Sequence, residues 1–169
     1  MLKNPRFLFA IVLCLFSVAA CGYRFMGSGN FPSGIKYVFI AILENRTNET
    51  GLENIVTEDL IYEFTRNRRA TSREKADAVL SGVLNTMNTE TISHRGRHTS
   101  LERRVTVSVD LKLTGTDGLE IWSVKGVSAN EAYDVTTDKL ETEQKRRVAI
   151  SALSKRLSEK IYNRLTDDF

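Results

Sequence analysis

Residues Arg104–Thr114 read RVTVSVDLKLT. Val105, Val107, Val109, Leu111 and Leu113 point one way, and Thr106, Ser108, Asp110, Lys112 and Thr114 the other. A period of two with one dry and one wet face defines a β-strand covered on a single side. A sheet built from such strands is expected to carry helices on one face and water on the other.

The flanking sequence supplies the other layers. Downstream, Asp117-Gly118 signals a tight hairpin into a strand over about 119–129 that holds the sole Trp122. Upstream, a strand over about 76–89 alternates Val79, Ser81, Val83, Asn85 and Met87 with Leu80, Gly82, Leu84 and Thr86. Ile35–Leu43 (IKYVFIAIL) is a continuous apolar, β-branched and aromatic run that reads as a buried strand, followed by a polar loop over Glu44–Thr50. Thr50 with Glu53 forms a capping box for a helix over about 51–67, whose apolar face is Leu52, Ile55, Val56, Leu60 and Phe64. A basic turn from Arg66 to Lys75 follows it. The last element is a helix over about 140–165 with Val148, Ala149, Ala152, Leu153, Leu157, Ile161 and Leu165 on one face. The order β-α-β-β-β-α predicts an α+β two-layer sandwich, a four-stranded mixed sheet with two helices on one face and a right-handed first crossover.

The N-terminus has a different character. Lys3 and Arg6 precede an apolar stretch of 12 residues, Phe7–Val18, and then Ala19 and Ala20. This is the layout of a secretory signal, and the stretch is short of the ~20 residues a membrane crossing needs. Val18-Ala19-Ala20-Cys21 resembles the bacterial lipobox, which is cut before a cysteine that is then acylated. The reading is a signal peptide over 1–20, a lipidated Cys21 with a flexible tether over 21–34, and one domain over 35–169. The alternatives are an ordinary cleaved signal and an uncleaved anchor helix. Several acyl chains would hold the protein firmly to a membrane. Gly22, where the sorting rule places aspartate for inner-membrane retention, favours the outer membrane.

Composition then narrows the chemistry. The two cysteines are Cys14 and Cys21, so the mature domain has no thiol for a disulfide, a zinc site or a nucleophile. Loss of Lys3 and Arg6 leaves 22 basic against 21 acidic residues, a near-neutral balance that argues against nucleic acid as a partner. His94 and His98 are spaced i, i+4, but Gly96 and two arginines surround them and no third ligand is near, so a solvated loop outweighs a metal site. Ser72-Arg73-Glu74-Lys75 matches the S-x-x-K pattern without its companion elements. Gly27-Ser28-Gly29 lacks the rest of a phosphate loop. No catalytic constellation, cofactor motif or metal set appears in the sequence. An enzyme would need a site assembled only by the fold.

Charge patterning remains. The link over Glu90–Arg104 carries Arg95, Arg97, Arg103 and Arg104 against Glu90 and Glu102. The final helix carries eight basic residues over 139–164 against Glu141, Glu143 and Glu159, most of them read as a solvated face. The arginine fork suits phosphate, and the outer membrane supplies a phosphorylated glycolipid.

Cys21-Gly22-Tyr23-Arg24-Phe25, the entry Ala76-Asp77-Ala78-Val79-Leu80-Ser81-Gly82, the Gly118–Trp122 segment and the long C-terminal amphipathic helix together resemble the LPS-assembly lipoproteins of the LptE family. That resemblance implies a non-catalytic role. Such proteins plug the lumen of the LptD outer-membrane β-barrel, assist its assembly, and bind lipopolysaccharide on its way to the cell surface. It implies a protein anchored in the outer membrane by acyl chains and facing the periplasm and the barrel lumen. It points to Arg95 and Arg97 in the link and Lys145 in the last helix as lipopolysaccharide-binding residues, and to no cofactor. The alternative is a lipoprotein adaptor of another envelope complex that binds protein rather than glycolipid.

Overall fold

Every member of the Val105–Leu113 stripe is buried, and its strand runs through the interior of the sheet. The computed structural model describes residues 31–32, 34–95 and 100–168. Its elements are β1 (Val38–Ile40), β2 (Glu44–Asn45), α1 (Leu52–Arg66), a 3-10 turn (Arg73–Lys75), β3 (Ala78–Arg95), β4 (Ser100–Gly115), β5 (Glu120–Val135) and α2 (Lys139–Asp167). The sheet runs β1-β3-β4-β5, with β1 and β2 parallel to β3 and the remaining pairs antiparallel. The predicted α+β sandwich is the observed architecture.

The four expected strands become five because the run Ile35–Leu43 pairs only in part. Ile40 pairs with Leu80 and Glu44 with Val83, so the edge chain carries one residue more than β3 over this interval. Leu43 turns its N–H away from the sheet to Thr57 Oγ1 on α1, at 3.2 Å. Pairing then resumes at Glu44–Asn45, inside the expected loop.

The larger correction concerns the link over Glu90–Arg104. It is mostly paired backbone: β3 continues to Arg95 and β4 starts at Ser100, with His94 opposite Leu101 and Glu90 opposite Arg104. Charged residues set directly opposite one another satisfy a ladder as well as apolar ones do. Of the expected solvated loop, residues 96–99 lie outside the described residues. A register shift between Leu84 and Thr86 also breaks the expected alternation of β3. Met87 consequently shares the inner face with Leu80 and Leu84, opposite Val107.

Thr50 does not cap α1. Gly51 stands at the N-cap with φ 86°, a conformation that favours glycine, and the helix start has no side-chain cap. Glu53 instead accepts from Asn45 Nδ2 at 2.6 Å, drawing the chain after β2 toward the first turn of α1. The start of α2 is capped by Asp138, which accepts from the N–H groups of Leu140 (2.8 Å) and Glu141 (3.4 Å). Val148, placed on the apolar face by spacing, is 65% exposed, and Ile150 is buried instead.

The two helices run side by side in the same direction. Glu49, just before α1, meets Arg146; Ser154 Oγ donates to Asp59 at 2.5 Å; Phe64 packs edge-on to Tyr162 at 5.1 Å. Phe31, within the segment read as a tether, completes this aromatic cluster at 6.2 Å from both rings, with the Arg69 guanidinium 4.8 Å from its centroid. The chain thus joins the core four residues before Ile35.

Two contacts fix how closely the strands approach. A Cβ on Gly82 would meet the Asp110 carbonyl oxygen at 2.4 Å and Leu111 Cδ2 at 2.6 Å. Gly82→Val should cost about 1–3 kcal/mol in chemical denaturation through overpacking; an unchanged midpoint would contradict this contact. At the base of β1, the N–H groups of Tyr37 (2.9 Å) and Lys36 (2.8 Å) donate to Asp77 Oδ2 and hold its carboxyl below the usual range. A depressed folded-state pKa adds stability above the unfolded value, and that stability is lost as pH falls through the folded value. Asp77→Asn should therefore melt below wild type at pH 7, and the gap should close below about pH 4, the ordinary carboxylate range. A gap that persists at acid pH would refute the assignment.

Candidate functional site at the hairpin end of the sheet

The length of β3 separates two ends of the molecule. From Ala78 to Arg95 a strand of this length spans about 55 Å. The Phe31 cluster lies near the start of β3, and the β3–β4 hairpin forms the opposite end. The start of α2 lies at the hairpin end, because β5 reaches Val135 opposite Leu101 and α2 begins at Lys139.

The helix layer thins toward this end. No residue of Lys139–Val148 is buried, and Leu140 is 78% exposed. Beneath it the inner face of the sheet turns polar, with Thr89 and Thr91 exposed. Lys145 stands on the second turn of α2 and pairs with Glu141 at 3.1 Å. It lines a groove of ≈ 460 Å³ between α2 and the free edge of β5, with Glu131, Tyr133, Asp134, Gln144 and Val148.

Of the residues singled out from sequence, Arg95 ends β3 with its backbone opposite Ser100. Lys145 lies at the same end of the fold. Arg97 and Cys21 lie outside the described residues. The structure adds Arg103. It has the parity of Val105 and is flanked by Thr91 on β3 and Tyr133 on β5, so it points to the helix side and adjoins a wall of the Lys145 groove. Running the alternation of Arg104–Thr114 one residue back would have found it. Arg104 has the other parity and pairs with Glu90 at 3.4 Å on the outer face.

Adjacent basic residues here have different duties. Arg146, 22% exposed, joins both Glu49 oxygens and Glu143 Oε1, binding the start of α2 to the turn before α1. The hydrogen bond to Glu49 raises its pKa above the ordinary arginine value. Among the described residues Lys145 makes only a helical i, i+4 pair, worth a few tenths of a kcal/mol. Chemically this end offers arginine and lysine donors beside carboxylates, the groove itself holding Glu131, Asp134 and Glu141 against Lys145, with Arg103 adjoining. Among the described residues, no group of three His, Cys, Asp or Glu could hold a metal, and no helix is long and apolar enough to cross a membrane.

The α+β sandwich fold is shared with solved bacterial lipoproteins. The uncharacterized lipoprotein B of Nitrosomonas europaea is similar with TM-score 0.55 at 14% identity, covering 86% of this chain and 90% of that one. The rare lipoprotein B of Shewanella oneidensis gives 0.52 at 13%, covering 77% and 95%. A putative lipoprotein of Caulobacter crescentus CB15 gives 0.51 at 15%, covering 73% and 87%. No curated protein matches the sequence. The family model of LptE, lipopolysaccharide-assembly, matches residues 35–165, and the chain belongs to that family.

Substitution separates the two duties. Arg146→Ala should lower stability by about 1–2 kcal/mol by leaving Glu49 half-buried and unpaired. Lys145→Ala should stay within about 0.5 kcal/mol of wild type. Equal losses in thermal melts would place Lys145 in the framework rather than on a binding surface.

Proposed function

We propose that this protein is an outer-membrane lipoprotein, acylated at Cys21, that plugs and helps assemble an LptD-type β-barrel and binds lipopolysaccharide during its transport to the surface. The observation that carries the reading is the LptE family match over 35–165. The placement of basic residues at one end of the sheet supports it: Arg95 at the end of β3, Arg97 two positions on in sequence, and Arg103 and Lys145 at that same end. A planar guanidinium takes phosphate oxygens two at a time. The outer sheet face, with Thr106, Ser108, Asp110 and Lys112, suits a water-lined lumen. The role is binding and assembly rather than catalysis.

The test is affinity purification from detergent extracts, with lipopolysaccharide binding measured on the purified protein. An LptD-type barrel should co-purify. Arg95→Glu with Arg97→Glu should weaken lipopolysaccharide binding, the effect shrinking at high salt, with the melting temperature unchanged. A different partner would favour an adaptor of another envelope complex. Unchanged binding in the double variant would remove the hairpin from the site.

A further inference from the structure

The second large groove lies at the other end of α2. It has a volume of ≈ 530 Å³ and runs between the last turns of α2 and β5, with Lys125, Arg156, Lys160 and Arg164 among its walls. The last three are spaced i, i+4, i+8 and so share one face of the helix. Lys125 reaches them from the strand because β5 is irregular there. Val109 pairs with Val127 but Leu111 with Val124, so β5 carries an extra residue, and Gly126 takes φ 66°. Its N–H donates to Asp110 Oδ1 at 2.7 Å, which pins the bulge and aims Lys125 at the groove.

Two of the four cations cover the sheet edge. Arg156 Nη1 donates to the Asn130 carbonyl at 3.0 Å and lies 2.6 Å from Glu131 Oε2. Lys160 Nζ donates to the Ser128 carbonyl at 2.9 Å, which leaves two of its three N–H groups for another acceptor. These contacts shield an exposed edge strand from pairing with other chains. The other two cations have no such duty. Among the described residues Lys125 has no ion pair, only the longer-range attraction of Asp110 across the bulge, and Arg164 has only a long one, 3.7 Å to Asp168, whose Oδ2 also accepts from Trp122 Nε1 at 2.8 Å. Glu159 and Asp167 stand in the same walls and make no ion pair with these cations. The walls hold four positive against two negative charges, with the amide of Asn163 as a further donor.

Position selects the ligand. The groove lies on the stretch of α2 that includes Tyr162, against which Phe31 packs. Ten residues separate Phe31 from Cys21, a reach of about 35 Å at full extension. We propose that this groove seats the phosphate of an anionic phospholipid headgroup in the leaflet that holds the acyl anchor. The proposal rests on acylation of Cys21 and not on the barrel or the transported glycolipid. Lys125, Lys160 and Arg164 bind the phosphate while Arg156 keeps the edge closed. The bound headgroup holds this end of the sheet against the membrane surface and orients the long axis of the domain.

The acylated mature chain from Cys21 onward, its acylation checked by mass, is titrated in neutral detergent with phosphatidylglycerol in mixed micelles and followed through Trp122 fluorescence. Saturable binding is expected, with phosphatidylcholine inert. Lys125→Glu with Arg164→Glu, which spares both edge-covering residues, should weaken binding roughly tenfold or more. Lys155→Glu, on α2 but outside the groove walls, should leave it unchanged. If the double variant misfolds, Lys125→Ala should still weaken binding and Lys125→Arg should restore it. Equal affinity in wild type and variants overturns the proposal. So does inorganic phosphate binding as tightly as the lipid, which would make this a free-anion site, or a tenfold preference for lipopolysaccharide, which would give the groove to the cargo. Loss of acylation with headgroup binding intact would sink the anchor reading alone.

Discussion

Asp110 is the point at which this sheet is held in register. It sits on the wet face of β4 and accepts the N–H of Gly126 in the bulge of β5, while Asn85 stands beside it at the register shift of β3. The Gly126 N–H, foremost, and the Asn85 side chain hold its carboxyl below the usual range. Both irregularities lie at one level of the sheet. Side chains alternate strictly, so a one-residue slip of either neighbour would turn its apolar set to water. With the bulges in place, Leu84 and Met87 on β3 and Val124 and Val127 on β5 all stay on the inner side with Val109 and Leu111. The five residues of the central stripe contribute roughly 10 kcal/mol of burial, comparable to the whole net stability of a domain this size. A polar residue on the solvent side therefore governs whether the dry side closes.

Features carried by contiguous residues are legible in the sequence, and features created by pairing are not. Period two in Arg104–Thr114 and period 3.6 in the last helix are properties of contiguous residues, so strand, helix and layer order were readable directly. The bulges were not. Asn85 and Lys125–Gly126 depart from alternation only relative to β4, and that relation exists only once the strands pair. The capping box at Thr50 misled because Gly51 can adopt a left-handed conformation that carries the chain into the helix without a side-chain cap. Val148 has core spacing and yet is exposed, because spacing marks a face but not where along the helix its cover ends. The link over Glu90–Arg104 has no strand signature of its own, because its strand character comes from cross-strand partners, Glu90 with Arg104 and Thr91 with Arg103. Arginine content there was legible; which arginines face the helices was not.

These corrections alter what the long hairpin means. A loop of arginines would sample many orientations, whereas paired strands direct Arg103 and Arg104 to opposite faces at fixed positions. The strands extend past the last buried contact of α2, at Ala149, and so leave the hydrophobic core behind. Such an extension is stable because β4 is paired on both sides up to Arg103 and Leu101, which satisfies its backbone without burial. The fold thereby carries a basic surface some 55 Å from the end where Phe31 enters the core. In the proposed reading this spacing has a mechanical consequence. An anchor at Cys21 restrains the Phe31 end alone, and the reach of ten residues leaves the tilt of a 55 Å sheet undetermined. A second contact near the anchored end is then needed if the hairpin is to point in one direction, and the cations of the Lys125 groove are placed to supply it.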